Sequence, residues 1–472
     1  MKHEDFRKHA HELVDWMADY LANVRQYPVK AQTKPGDIFT QLPPDAPIHG
    51  ESMETIFADF EKIIIPGMTH WQHPGFFAYF PANSSPPSLL AEMLTSTLGA
   101  QCMSWQTSPA AAELEECVMS WLGKMIGLPS NFTGVIEDTA STATLCAILT
   151  ARERVTGFKT NDRGFDSGNN YALYCSPETH SSIEKAVKIA GFGKSSLRKI
   201  AVDENYAMIP TALETAIKAD IAVGITPVAV IATIGTTGST AIDPLRAIAE
   251  ICNRHDTWLH VDAAFAGTAL ILPEMRRMND GIELADSFVF NPHKWMFTNF
   301  DCSAYFVKDA ESLVRTFEIL PEYLKTAEGD RVNNYRDWGI QLGRRFRALK
   351  LWFVIRNYGV EGLQTLVRYH LKLAGDLKKK IESTANFELL APAPLNLICF
   401  RYHPHGVDDL RQLNRLNETL LETVNATGKV YITHTKLNGA YTLRMVIAQT
   451  QVAEADVDAA WDLIRATASG LA

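Results

Sequence analysis

The seven cysteines, at positions 102, 117, 146, 175, 252, 302 and 399, form no C-x-x-C pair, and their number is odd. That spacing excludes a disulfide framework and a structural zinc site, and it suits a reducing compartment. No long apolar run exists either. The longest, 221–234, is broken by Gly224 and Pro227 and is too short to span a bilayer. The stretch from Met1 to Trp16 is charged throughout and lacks the apolar segment of a signal peptide. Basic runs are absent apart from Lys378-Lys379-Lys380, which reads as the solvated face of a helix. With a net charge of −9, nucleic acid is not an expected partner. There are no internal repeats and no low-complexity segments. These absences predict a cytoplasmic protein with no metal, membrane or nucleic-acid partner.

The chain has 472 residues, 46% of them hydrophobic. At roughly 100–200 residues per domain this makes several units, with ample apolar surface for a large core. A helix is expected from Asp5 to Arg25, where Phe6, Leu13, Met17, Leu21 and Val24 recur at helical spacing. A second is expected from Ser52 to Ile65, stopping at Pro66-Gly67. From about residue 86 helical patterns alternate with short β-rich runs: 172–175, 228–233, 258–261, 287–290 and 303–307. Such alternation predicts an α/β domain with a mostly parallel sheet. A long helix should start near Leu342 and break near Gly359. The tail reads as α+β, with a strand over 396–401 and a hairpin around Asn438-Gly439. The expected division is 1–85 helical, 86–350 large α/β domain and 351–472 small α+β domain.

In open α/β sheets, ligands sit beyond the carboxyl ends of the strands. Five polar clusters fall there. Asn291-Pro292-His293-Lys294 follows an apolar strand, and a lysine among apolar neighbours has a depressed pKa and can form a Schiff base. Asp262 ends another strand before Ala263-Ala264, where its carboxylate could pair with a protonated ring nitrogen or merely cap a turn. Thr139-Ala140-Ser141-Thr142 opens a helix, a place for a phosphate or for ordinary capping. It is no Walker loop, since the glycines and the lysine are missing. His180 follows the strand 172–175 and offers a flat ring for stacking or a structural hydrogen bond. Thr236-Thr237 ends the strand 228–233.

Taken together, Asn291-Pro-His-Lys-Trp, His260-Val-Asp-Ala-Ala, Thr139-Ala-Ser and Thr179-His-Ser-Ser resemble the group II decarboxylases that depend on pyridoxal phosphate (PLP). The match is to the aromatic-L-amino-acid decarboxylase family, and it runs over nearly the whole chain. His70-Trp-Gln-His-Pro-Gly-Phe-Phe-Ala-Tyr-Phe-Pro81 and Leu342-Gly-Arg-Arg-Phe-Arg-Ala-Leu-Lys350 are each close to family signatures.

The resemblance implies PLP-dependent transferase fold type I, like aspartate aminotransferase. It also implies a homodimer with active sites at the subunit interface, onto which residues 1–85 would pack. Lys294 would carry the cofactor covalently, Asp262 would pair with its pyridine nitrogen and His180 would stack on its ring. Ala140, Ser141, Asn291 and His293 would hold the phosphate, and Thr237 and Ala264 would touch the ring. Trp71, Tyr79, Phe80 and Pro81 would line the substrate pocket. Gln101 and Met103 would face the same substrate ring from the other subunit, at a wall that is commonly apolar or aromatic in the family. Tyr323, in a polar stretch that fits a mobile lid, would protonate the α-carbon.

The residue before Arg-Arg-Phe-Arg is glycine in family members that admit indoles or catechols. It is serine in plant tyrosine decarboxylases and histidine decarboxylases. Here it is Gly343, which implies room for an indole. The expected reaction is decarboxylation of tryptophan, 5-hydroxytryptophan, DOPA, tyrosine or phenylalanine to the arylalkylamine. Two alternatives remain at this point: an aromatic aldehyde synthase, which also deaminates oxidatively, and a catalytically inactive dimeric paralogue.

Overall fold

The computed structural model describes residues 1–165, 170–319 and 331–471. They divide into two compact units. The larger comprises residues 82–372 and 391–397, and the smaller 1–81, 373–390 and 398–472. Residues 1–81 thus share a unit with the C-terminal residues, whereas the sequence pattern set 1–85 apart.

The larger unit is built on seven strands among the described residues. They are β1 (Thr133–Glu137), β2 (Tyr171–Cys175), β3 (Leu197–Lys199), β4 (Thr226–Thr233), β5 (Trp258–Asp262), β6 (Ser287–Phe290) and β7 (Ser303–Val307). Their order across the sheet is β1-β7-β6-β5-β4-β2-β3. β7 runs antiparallel to both neighbours, and every other pairing is parallel. β1, β2, β4, β5 and β6 therefore end on one edge. The register sets Thr233 beside Asp262, and Asp262 beside Val289. All five predicted strands are present. The inner strands are buried on both faces, which explains why they read as continuous apolar runs rather than alternating ones.

The helix Ala140–Val155 packs on this sheet. Ala143, Cys146, Ala147, Ile148 and Ala151 meet Leu173, Ile231, Val289 and Tyr305 in one buried cluster. Thr139 has extended backbone and its hydroxyl caps the Thr142 N–H. Such a cap contributes about 1 kcal/mol and fixes where the helix begins. The long helix Arg347–Ser383 is interrupted at Gly359, whose φ of 66° and ψ of 169° are not helical. The break falls where the sequence placed it, but the helix starts at Arg347 rather than near Leu342. Arg344 accounts for the delay. Its backbone pairs with Gln101 and Cys102, and its guanidinium binds Glu115 and the Ile136 carbonyl, so the preceding residues are held out of the helix.

In the smaller unit, β8 (Phe387–Leu389), β9 (Leu397–Tyr402), β10 (Thr433–Leu437) and β11 (Ala440–Val446) form a sheet in the order β10-β11-β9-β8, antiparallel between β10 and β11 and between β9 and β8. Asn438 (φ 49°) and Gly439 (φ 82°) make the predicted hairpin turn. The N-terminal helix is His3–Asn23, and Met53–Asp59 continues into a π-helical turn over Phe60–Ile64. The segment around Phe77 joins this unit through Phe77 N–H to Tyr431 O (2.8 Å) and Val446 N–H to Phe77 O (2.9 Å). A side chain at Gly75 would come within 2.6 Å of the Lys429 carbonyl oxygen, so only glycine allows that approach.

Candidate active site

Lys294 lies in the single turn Pro292–Trp295 at the carboxyl end of β6. Its neighbour Trp295 is wholly buried, stacks on Phe265 at 5.0 Å and donates to His370 Nδ1 at 3.0 Å. That anchor fixes the turn, and with it the direction of the lysine. Burial holds the Lys294 amine below its ordinary pKa, and the nearby Asp262 carboxylate opposes this more weakly. A lysine so placed gives up its proton more readily than an exposed one.

Asp262 closes β5, and its Oδ1 accepts the Ala264 N–H at 3.0 Å. One oxygen thus serves the turn that the capping alternative foresaw, and the other is left to offer. His180, exposed after β2, accepts the Ser182 N–H on Nδ1 at 3.2 Å. The neutral ring assigned from that bond therefore carries its proton on Nε2. The His180 pKa is lowered by burial and then by the Lys294 charge, with Asp262 acting the other way. The three groups are in electrostatic reach of one another.

At the start of the helix Ala140–Val155, the N–H groups of Ala140 and Ser141 have no acceptor among the described residues. Ala140 is half-buried and Ser141 exposed. This is an open, dipole-favoured anion seat on the same edge of the sheet. Ala264 is half-exposed. Thr236 is buried and its hydroxyl accepts the Ala241 N–H at 3.0 Å, whereas Thr237 is exposed. Asn291 and His293 are buried with commitments of their own. Asn291 Oδ1 accepts from Ser303 Oγ (2.6 Å), and His293 Nδ1 accepts the Cys302 N–H (2.9 Å). Asn291 keeps Nδ2 and His293 keeps Nε2 to offer.

The sequence quoted His260 within a motif but gave it no task. The structure places it wholly buried between Thr144 Oγ1 (3.0 Å to Nε2) and Ser287 Oγ (2.9 Å to Nδ1). Burial pushes its pKa down to about 4, so the ring is neutral. Trp258 Nε1 donates to Ser287 Oγ at 3.0 Å. The hydroxyl proton of Ser287 is then free to point at His260 Nδ1, which leaves Nε2–H to donate to Thr144. This chain ties the helix that starts at Ala140 to β5 and β6, the strands that lead to Asp262 and Lys294. Nothing in local sequence signals it, because Thr144, His260 and Ser287 meet only through the sheet.

Two further groups of predicted residues are defined by contacts within their own units. In the smaller unit, Trp71 stacks with Tyr79 at 6.0 Å, and the Tyr79 hydroxyl meets that of Tyr431 at 3.1 Å. Tyr431 was not singled out from sequence. The Arg444 guanidinium lies over Phe80 at 5.6 Å, and Pro81 is buried. In the larger unit, Gln101 and Gly343 are immediate neighbours. Gln101 Oε1 accepts the Arg344 N–H at 2.8 Å, and a Cβ on Gly343 would stand 3.1 Å from Gln101 Nε2. The Met103 carbonyl accepts the Arg336 N–H at 2.9 Å. Gln101 and Gly343 therefore belong to one wall of one chain. Tyr323 lies outside the described residues. No group of His, Cys, Asp and Glu able to hold a metal is found among the described residues. No described helix is long and apolar enough to cross a membrane.

A buried lysine with a lowered pKa, a strand-end carboxylate beside it and an open helix N-terminus are what an aldehyde, a ring nitrogen and a phosphate on one molecule require. The residues present fit pyridoxal phosphate. The family model of the pyridoxal-dependent decarboxylase conserved domain matches residues 35–403. Tyrosine decarboxylase 3 of Petroselinum crispum is 42% identical over 99% of this chain and 92% of its own. Phenylacetaldehyde synthase of Arabidopsis thaliana is 42% identical over 100% and 97%. The crystal structure of Oryza sativa TDC with PLP and tryptamine superposes with a TM-score of 0.97 at 34% identity, covering 100% of this chain and 99% of that one. The chain belongs to the pyridoxal-dependent decarboxylases, a family of carbon–carbon lyases that use pyridoxal phosphate as cofactor.

Proposed function

We propose that this enzyme decarboxylates aromatic L-amino acids, releasing the arylalkylamine and CO₂. The observation that carries the reading is the grouping of Lys294, Asp262 and His180 beside the open N–H groups of Ala140 and Ser141. Relatives 40–43% identical are named as tyrosine or tryptophan decarboxylases or for an aromatic aldehyde product, which supports the substrate class.

Bound pyridoxal phosphate supplies an electron sink for the pair left behind when the α-carboxylate departs. Lys294 holds the cofactor through its side-chain nitrogen, a role suited to an amine whose pKa burial lowers. Asp262 keeps a proton on the pyridine nitrogen. His180 stacks on the ring, and Thr237 and Ala264 contact it. The N–H groups of Ala140 and Ser141, with the free nitrogens of Asn291 and His293, bind the phosphate. Trp71, Tyr79, Phe80 and Pro81 bind the aromatic ring of the substrate. Tyr323 delivers a proton to the substrate α-carbon after CO₂ has left. Fixing the substrate so that one bond is aligned for cleavage is the protein's share of the catalysis.

The working form is a homodimer in the cytoplasm. Helix Pro86–Leu98 supports this, because Leu90, Met93, Leu94 and Leu98 form an exposed apolar stripe at helical spacing. The seven cysteines are all unpaired, in keeping with a reducing compartment.

The test is a panel of aromatic L-amino acids assayed for CO₂ and amine, together with Lys294→Ala. We expect equimolar CO₂ and amine from the wild type. The variant should lose both turnover and the visible band of bound cofactor. Borohydride reduction followed by peptide mapping should label Lys294, and labelling of another lysine overturns the assignment. The second reading, an aldehyde synthase, is favoured by the names of two relatives. It predicts aldehyde, ammonia and peroxide in place of amine.

A further inference from the structure

The chain that leaves the Lys294 turn is strained. Phe297, a few residues on, has a φ of 54°, a left-handed conformation that a bulky side chain rarely adopts. Such a residue keeps its shape only where the surroundings impose it. Its ring is wholly buried, near Tyr358 at 6.0 Å and His370 at 5.8 Å. Its carbonyl accepts the Ser85 hydroxyl at 2.6 Å. Ser85 directly precedes helix Pro86–Leu98, a place where serine ordinarily caps the helix, yet its side chain makes no capping bond. The hydroxyl is committed to Phe297 instead. Residues beside Ser85 grip the same loop. The Asn83 N–H donates to the His293 carbonyl at 2.9 Å, and the Ser88 hydroxyl accepts the Asn299 N–H at 2.8 Å. Asn83, Ser85 and Ser88 are all buried. One stretch of chain thus holds the lysine turn on both sides.

We infer that Ser85 is a positioning residue for Lys294, acting through the backbone of Phe297. This rests on the proposed function, in which Lys294 holds the cofactor. Covalent attachment joins the Lys294 nitrogen to the aldehyde carbon, and the aldehyde oxygen leaves as water with both hydrogens of the neutral amine. That bond forms only while the amine stands at the aldehyde of a cofactor already seated. The seat is held by other bonds. Ala140 and Ser141 open their own helix, Asp262 closes β5, and Asn291 and His293 are fixed by Ser303 and Cys302. Ser85 therefore governs the attachment rather than the seating. Without its hydroxyl the Phe297 carbonyl loses its donor, the left-handed turn loses its support, and the lysine is less often in place.

The experiment uses the full chain freed of cofactor and two ligands: pyridoxal phosphate, and deoxypyridoxine phosphate, in which a methyl group replaces the aldehyde. Binding of each is measured at equilibrium, without turnover. Ser85→Ala should weaken pyridoxal phosphate about tenfold, the effect of one buried hydrogen bond, and leave deoxypyridoxine phosphate within about twofold. Borohydride should label Lys294 less in the variant at the same cofactor concentration. Ser88→Ala should split the two ligands in the same direction and serves if Ser85→Ala fails to fold. Thr150→Val removes another buried hydroxyl, bonded to the Cys146 carbonyl at 2.8 Å, and should change neither ligand. Equal weakening of both ligands in Ser85→Ala, or no change in either, overturns the inference, as does the same split in Thr150→Val. Reduction that labels a lysine other than Lys294 in the wild type refutes the proposed function instead.

Discussion

Replacing Glu137 with glutamine should stabilise the protein above neutral pH and do progressively less as the medium is acidified. Glu137 is the last residue of β1 and is 4% exposed. Gly339 crowds it so closely that a Cβ there would lie 2.4 Å from Oε1. Its nearest cation, Arg344, is committed to Glu115 and to the Ile136 carbonyl, while Asp138 and Glu115 add like charge. Burial pushes the Glu137 carboxyl from the ordinary 4.5 up to about 7. The unfolded chain releases this proton near 4.5, whereas the folded chain keeps it until about 7. The group's contribution is therefore intact below 4.5, is lost progressively up to 7 and stays lost above. At about 1.4 kcal/mol per pH unit the full difference is about 3 kcal/mol, of which about 2.5 kcal/mol falls between pH 5 and pH 8. Glutamine cannot ionise, so Glu137→Gln should gain that amount on the wild type over the same interval. Taking roughly 2 cal/mol/K per residue, the melting entropy of the whole chain is about 1 kcal/mol/K, and the gain in Tm is about 2–3 °C. Thermal melts of both proteins at pH 5, 6, 7 and 8 test this, and Asp243, buried and raised to about 6, cancels because both proteins contain it. A difference in Tm that is flat with pH, or that shrinks as pH rises, refutes the reasoning.

His260→Gln keeps a donor near Thr144 and should retain cofactor affinity within a few-fold, whereas His260→Asn reaches only toward Ser287 and should weaken it about tenfold or more. Equilibrium binding of pyridoxal phosphate to the apoprotein, read by absorbance, decides this, and equal affinities for the two variants sink the positioning role. Tyr323→Phe should slow amine release far more than it weakens substrate binding, and should divert product toward aldehyde. A Phe variant with the wild-type amine yield and no aldehyde removes Tyr323 from the proton transfer.

Much of the larger unit was legible because its inner strands are short, apolar runs closed by a polar residue at the carboxyl end. That pattern announced both the parallel sheet and the places of Lys294, Asp262 and His180. β1 escaped notice because Thr133-Gly134-Val135-Ile136-Glu137 carries only two large apolar residues and includes a glycine. β3 escaped because Leu197–Lys199 is a three-residue strand at the edge of the sheet. What no local pattern could give is contact across long separations. Gln101 meets Gly343, and Thr144 meets His260, only because the sheet brings them together. The helix boundary near Leu342 went astray for the same reason. Helical propensity in the run through Arg347 was overridden by bonds from Arg344 to residues far back in the chain.

These separations also divide the labour. The groups assigned to the cofactor stand on buried strand ends whose polar atoms are nearly all spoken for. His260 has both nitrogens engaged, Asn291 and His293 have one side-chain atom each committed, and Trp295 is pinned by His370. A substitution there leaves a buried partner unpaired, which costs about 1–3 kcal/mol each time. The wall at Gln101 and Gly343 is different. It is exposed in the chain, one of its residues has no side chain, and the other presents an amide nitrogen with no acceptor among the described residues. Losing the Gln101 amide unpairs the Arg344 N–H alone and leaves the bonds of the strand ends untouched. Substitutions at Gln101 and Gly343 should therefore disturb cofactor binding less than substitutions at the strand ends.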